Sequence, residues 1–305
     1  EEKAKAKEEL YGLLFSHVDH LPEEKQEQVK KYEFPKTPEE NLIIGFSNEE
    51  TNRLRTLLGL QPYTISTENY HIIPRRDYNE YCSKNSDATT YFDKQAIIFD
   101  AESARPNPLL FSAIALHETL HLKGFFAQEV EEVEDKKEKT GKKIKKTSYR
   151  EGVSVGALQK YDLSGDYHKH FKGLHEAIVS TQEKKSFQRL LELPEMAEHK
   201  NWMISEEAMR LKAEKSQEER EKDKDAIPDD EFIWISKDKK IWGEFPYPDS
   251  RRVLAYLCSE IKKQFSDEYQ TTDDVFNEFL KSHFTGNLLT IARLVEKTFG
   301  KGSFR

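Results

Sequence analysis

Cysteine is almost absent: only Cys82 and Cys258 occur in 305 residues, far apart and without CxxC spacing. That excludes a disulfide scaffold and any thiolate zinc site, and it fits a reducing compartment. Long apolar runs are also missing. None approaches the roughly 20 residues that span a bilayer, so no membrane span is expected, and no signal peptide is visible. The chain opens on Glu1 rather than a methionine, which leaves room for a removed leader. Cytoplasm is the default expectation, with secretion after processing as its alternative. An excess of basic charge is lacking too: Lys plus Arg total 48 against 56 Asp plus Glu, a net charge of −8. An acidic chain without a basic stripe is a poor match for a phosphate backbone, so nucleic acid is not an expected partner. What is present is a solvated surface, 34% charged, together with 18 Phe and 13 Tyr. Those aromatics argue for packed cores rather than disorder, and the length suffices for two compact lobes.

Local patterning predicts an α+β chain. Residues 1–31 read as two charged helices broken at Leu21-Pro22, and Pro35 and Pro38 mark a linker. Ser47-Asn48-Glu49-Glu50 has the form of a capping box for a helix through Leu58, ended by Gly59. Strands are expected at Tyr70–Ile73, Thr89–Phe92 and Gln95–Phe99, the last two as a hairpin. Pro106 and Pro108 open an apolar helix from about Leu109 to Phe125, which must be buried. The charged stretch from Gln128 to Thr147 is expected to form an exposed hairpin turning at Lys139–Lys142, with a flexible linker as the alternative, and Val153 and Val155 continue the hairpin's second strand. A loop over Tyr161–Lys172 leads to a helix through about Leu193. A charged helix over Ile204–Lys224, a hairpin of Phe232–Ile235 with Ile241-Trp242, and three terminal helices complete the chain. The domain division is an N-terminal helical segment at 1–60, a mixed-sheet lobe at 61–193 and a mainly helical lobe at 194–305. Nothing in the sequence sets an oligomeric state.

His117-Glu118-Thr119-Leu120-His121 lies within the apolar helix. Residues four apart share a helix face, so the two imidazoles match two corners of a zinc tetrahedron. Glu118 points about 100° away from His117, within reach of a metal-bound water but unsuited to ligation. Zinc acidifies bound water toward a pKa of about 7, and a carboxylate removes the proton as the water attacks a carbonyl. A chance match of the pattern, with satisfied core histidines, is the bland alternative. An apolar helix tilts the balance, because unpaired imidazoles and a carboxylate there cost desolvation energy. The third ligand lies elsewhere, with Glu151, Asp162, Asp166, His168, His170, His175 and Glu176 as candidates. Glu176 begins a helix whose Leu174, Ala177 and Ile178 can pack against the first.

These residues resemble the gluzincin metallopeptidases of the thermolysin-like type, in which HExxH sits on one helix and a glutamate ligand on the next. The resemblance covers roughly Tyr70 to Leu193. It implies a zincin-like catalytic lobe, one Zn²⁺ held by His117, His121 and Glu176, and Glu118 as general base and then general acid. Two departures stand out. The usual Asn before the ligand is His175, which leaves His175 a rival ligand. The carboxylate expected one turn after the ligand is Ser180, so another acceptor, with Glu183 as candidate, must orient a zinc histidine. Gluzincins also pair an extended substrate with an edge strand beside the metal helix, and Gln95–Phe99 is the natural candidate, with an ordinary core strand as the competing view.

Oxyanion donors are sought among Tyr149-Arg150, Tyr167–His170, and Tyr247 with Arg251, the last pair one turn apart at a helix start. The basic run Lys142–Lys146 faces Glu129, Glu131, Glu132 and Glu134 as a cross-paired hairpin rather than a nucleic-acid patch. The sequence therefore leads to a zinc-dependent peptidase acting on a peptide or protein substrate. Its rivals are a zincin-derived metal-binding or regulatory module without activity, and a helical interaction protein with an incidental motif. Peptide deformylases share HExxH but need a cysteine ligand, and Cys82 and Cys258 lack suitable surroundings.

Overall fold

The computed structural model describes residues 2–14, 23–82, 84, 86–134, 143–159, 168–221 and 227–304. The Leu21-Pro22 break, the Lys139–Lys142 turn, Asp162, Asp166 and Tyr167 lie outside them, as does the side chain of His168. The chain is α+β. Its first part carries α1 (Glu2–Leu14), α2 (Glu23–Tyr32), α3 (Pro38–Leu57), β1 (Tyr70–Ile73), α4 (Arg75–Tyr81), β2 (Ala88–Tyr91), β3 (Ala96–Asp100), α5 (Ala101–Ala104) and α6 (Pro108–Leu122). Then follow β4 (Phe126–Glu134), β5 (Lys143–Glu151), β6 (Ser154–Gln159), β7 (His168–His170) and α7 (Lys172–Leu190). The remainder is α8 (Ala197–Met203), α9 (Glu206–Arg220), β8 (Phe232–Ile235), β9 (Trp242–Glu244), α10 (Pro248–Gln264), α11 (Thr272–Thr285) and α12 (Leu289–Phe299). No described helix is long and apolar enough to cross a membrane.

Two compact units emerge, each built from two stretches of chain: Glu1–Leu122 with Gln182–Pro246, and Lys123–Thr181 with Tyr247–Arg305. The contiguous three-part division read from the sequence does not have this discontinuous form.

In the first unit a three-stranded sheet runs in the order β1-β3-β2, with β3 parallel to β1 and antiparallel to β2. Every residue of β3 is buried, as a central strand covered on both faces requires. The core gathers Ile43 and Ile44 of α3, Tyr70 and Ile72 of β1, Ile97 and Phe99 of β3, and Leu109, Phe111 and Leu116 of α6. The start of α3 corrects the sequence expectation. Thr37 is the N-cap, its hydroxyl accepting from the Glu40 amide while Glu40 reaches back to the Thr37 amide, and Pro38 occupies the first turn. Ser47 sits in mid-helix, donating to the Ile43 carbonyl at 2.9 Å.

In the second unit β4-β5-β6-β7 form an antiparallel sheet. Val153 and Val155 do not prolong β5. The chain reverses at Gly152, where φ is +54°, and β6 pairs back with Glu151 opposite Ser154. The helices α10, α11 and α12 stand at the positions expected from their patterning. Thr271 and Asp274 close a capping box at the start of α11, and Gly286 ends it in the left-handed conformation.

Candidate metal centre

Helix α6 carries the motif, and packing fixes its rotation. Asn107 Oδ1 accepts from the Leu109 amide at 2.8 Å at its N-terminus. Eleven of its side chains are buried, so the polar residues it carries are committed to particular partners. Thr119 shares a 3.1 Å hydrogen bond with the Tyr70 hydroxyl of β1. Asn48 of α3 donates to the same hydroxyl at 3.2 Å. Burial pushes the Tyr70 phenol up to about 12, so it stays a neutral strut. With Thr119 held there, His117, Glu118 and His121 have their directions set.

His117 Nε2 and His121 Nε2 approach to 3.1 Å, with ring centroids 4.7 Å apart and planes inclined at 66°. Two nitrogens on one tetrahedral zinc stand about 3.4 Å apart for Zn–N bonds of about 2.0–2.1 Å. The imidazoles are therefore within a few tenths of an ångström of the spacing one zinc requires. Behind His117, Nδ1 lies 2.8 Å from Glu183 Oε2, and that carboxylate side chain is only 2% exposed. A buried carboxylate is suited to accept a hydrogen bond from Nδ1–H, and in that tautomer Nε2 keeps its lone pair free to bind a metal.

Glu183 stands on α7, and Glu176 lies seven residues before it on the same helix. Seven residues make nearly two full turns, so both carboxylates leave the helix on one face. Glu176 is itself buried near the start of α7. Two imidazole nitrogens and a carboxylate are residue types that could hold a metal ion. Ser180, where the resemblance implies a carboxylate, is fully buried; Glu183, three residues on, holds His117 instead.

Within the second unit, Glu151 and His175 come together as a pair. His175 Nε2 and Glu151 Oε1 are 3.4 Å apart and serve each other. Gly152 matters here: a Cβ on it would stand 2.6 Å from His175 Nδ1 and 2.5 Å from His283 Nδ1. Only a residue without a side chain lets both imidazoles occupy that space, and the left-handed φ suits glycine as well.

Glu118 is half-buried and meets a residue the sequence did not single out. Thr90 Oγ1 of β2 donates to Glu118 Oε2 at 2.6 Å and lies 3.3 Å from the Glu118 carbonyl. No motif marks Thr90, because the contact exists only once β2 has paired with β3 and α6 has packed beside it. The strand beside the motif is accordingly β2, at the edge of the sheet, whereas Gln95–Phe99 falls on the central strand β3. Among the expected oxyanion donors, Arg150 donates to the Gly286 carbonyl and stacks over the Phe125 ring, a structural engagement. Tyr247 caps α10 with φ +58° and is 40% exposed, and Arg251, one turn on, is buried. Comparison with protein-family models, with curated proteins and with solved structures gives no match, so the arrangement of the chain's own residues is what bears on its chemistry.

Proposed function

We propose that this chain is a zinc-dependent peptidase of zincin-like architecture, resembling the gluzincins, with His117, His121 and Glu176 as ligands. The observation that carries this reading is the 3.1 Å approach of two Nε2 atoms with Glu183 seated behind His117. A buried carboxylate on the distal nitrogen of one imidazole of a converging pair is what metal sites require and what core packing has no need of. A zinc ion in this site supplies Lewis acidity, lowering the pKa of bound water toward about 7 and polarising a carbonyl. The chain's own residues do the rest. Glu183 holds the His117 tautomer. Glu118, one residue beyond His117, accepts the proton of the attacking water and returns it to the departing amine nitrogen. Tyr247 and Arg251 are the candidate donors to the oxyanion.

Metal analysis of the purified protein, paired with Glu118→Gln, tests the proposal. The wild type is expected to hold one equivalent of zinc and to cleave labelled casein. The variant keeps its size and its metal but loses the basic oxygen, so hydrolysis falls by about 10²–10⁴-fold. A wild type without zinc, or a variant with full turnover, overturns the assignment.

A further inference from the structure

We infer that Thr90 is a positioning residue for Glu118: its hydroxyl holds one carboxylate oxygen so that the other faces the reacting water. The inference rests on the peptidase reading, and its geometry lies wholly within the first unit.

The direction of the Thr90 side chain is set by the sheet. Successive strand residues point to opposite faces, and β2 obeys this. Thr89 Oγ1 lies 2.6 Å from the Tyr78 hydroxyl, while Thr90 turns to Glu118. Pairing of Thr90 with Ile97 on the fully buried β3 fixes its height along the strand. From the other side, the Thr119–Tyr70 bond fixes the rotation of α6 one residue beyond Glu118. Both partners are thus held by backbone that cannot readily shift.

The chemistry of the contact is specific. A threonine hydroxyl has one proton to give. At 2.6 Å from Glu118 Oε2 the contact has the length of a charge-assisted O–H···O⁻ bond, and the 3.3 Å approach to the backbone carbonyl is its weaker branch. Oε1 has no hydrogen-bond partner among the described residues, so the oxygen opposite Thr90 is the one left for the water. A carboxylate without this tether would sample several rotamers, and general-base catalysis depends on placing one oxygen within hydrogen-bond reach.

The experiment uses the full chain in three forms, wild type, Thr90→Val and Thr90→Ser. Valine matches the shape and strand preference of threonine without the proton; serine restores the hydroxyl. Three quantities are measured: zinc affinity by chelator competition, the affinity of zinc-loaded protein for acetohydroxamate, and kcat and KM on a fluorogenic peptide. Acetohydroxamate is chosen because a hydroxamate is a zinc-binding group whose hydroxyl proton a neighbouring carboxylate can accept. For Thr90→Val we expect wild-type zinc affinity, acetohydroxamate binding weakened about 5-fold and kcat lowered about 10-fold with KM little changed. Thr90→Ser should recover both to within about 2-fold. Valine indistinguishable from wild type, or serine as impaired as valine, overturns the role of Thr90 while leaving the peptidase assignment standing. A wild type that binds no zinc overturns both. If it binds zinc but cleaves no peptide, the peptidase reading fails alone, and the acetohydroxamate arm still decides whether Thr90 places Glu118.

Discussion

His117 uses its two nitrogens for different work, and the division depends on Glu183. With Nδ1 2.8 Å from a carboxylate that is almost fully buried, the ring can neither flip nor change tautomer without giving up that hydrogen bond. Glu183→Gln keeps an acceptor oxygen but makes it neutral, and zinc affinity is expected to fall about 10-fold, toward about 100-fold for Glu183→Ala. Chelator competition on both variants checks this, and unchanged affinity in each would show that Glu183 only fills space. The convergence of His117 with His121 was legible in the sequence because residues four apart share a helix face. Glu183 was legible only as a candidate, since nothing local tells which carboxylate on α7 turns toward His117. Thr90 was not legible at all, because a strand threonine becomes significant only through a tertiary contact.

At the scale of elements, α7 must be held at the right phase to present Glu176 and Glu183 on one face, and its C-terminal half is anchored to α3. Glu50 of α3 accepts from Arg53 at 2.6 and 2.7 Å, from Arg189 Nε at 3.0 Å and from Ser186 Oγ at 3.3 Å. Burial alone would raise the Glu50 carboxyl, but the Arg53 hydrogen bond and charge, with Arg189 beside it, hold it below its ordinary value of 4.5. The sign for stability follows. A depressed folded-state pKa contributes stability above the unfolded value and loses it as pH falls through the folded one. Glu50→Gln is therefore expected to cost about 1.5–3 kcal/mol at pH 7. The gap from wild type should narrow as pH drops below 4.5, read as urea midpoints at both ends of that range. A gap independent of pH would mean that packing, not charge, anchors the helix. The same region shows why the start of α3 was misread. Thr37-Pro38-Glu39-Glu40 and Ser47-Asn48-Glu49-Glu50 both have capping-box form, and a serine already inside a helix satisfies itself by donating four residues back, as Ser47 does.

For the whole molecule, β1, β2, β3, the β4–β5 and β8–β9 pairings and the terminal helices followed from patterning, because each rests on local periodicity, whereas β6 was expected to prolong β5 and β7 falls where a loop was expected. The discontinuous units and the choice of third ligand did not, because both depend on how distant stretches pack. Glu176 and the Glu151–His175 pair are the rival sources of the third ligand, and global stability offers a way to separate them. Zinc that binds only the native state raises stability by about 4 kcal/mol at a thousandfold excess over Kd. For a chain of this size that is a rise in Tm on the order of 5 °C or more. Each variant is compared with itself, with zinc and with chelator, so the cost of deleting a buried side chain such as His175 cancels. The rise is expected to vanish in His121→Ala and to shrink severely in Glu176→Ala, while Glu151→Ala and His175→Ala retain it. Because His121 is a proposed ligand under either choice, loss there alone establishes only that α6 bears the metal. The decision lies with the other two residues: a rise that survives Glu176→Ala but disappears in His175→Ala would move the ion to Glu151 and His175, away from the carboxylate that the gluzincin resemblance requires.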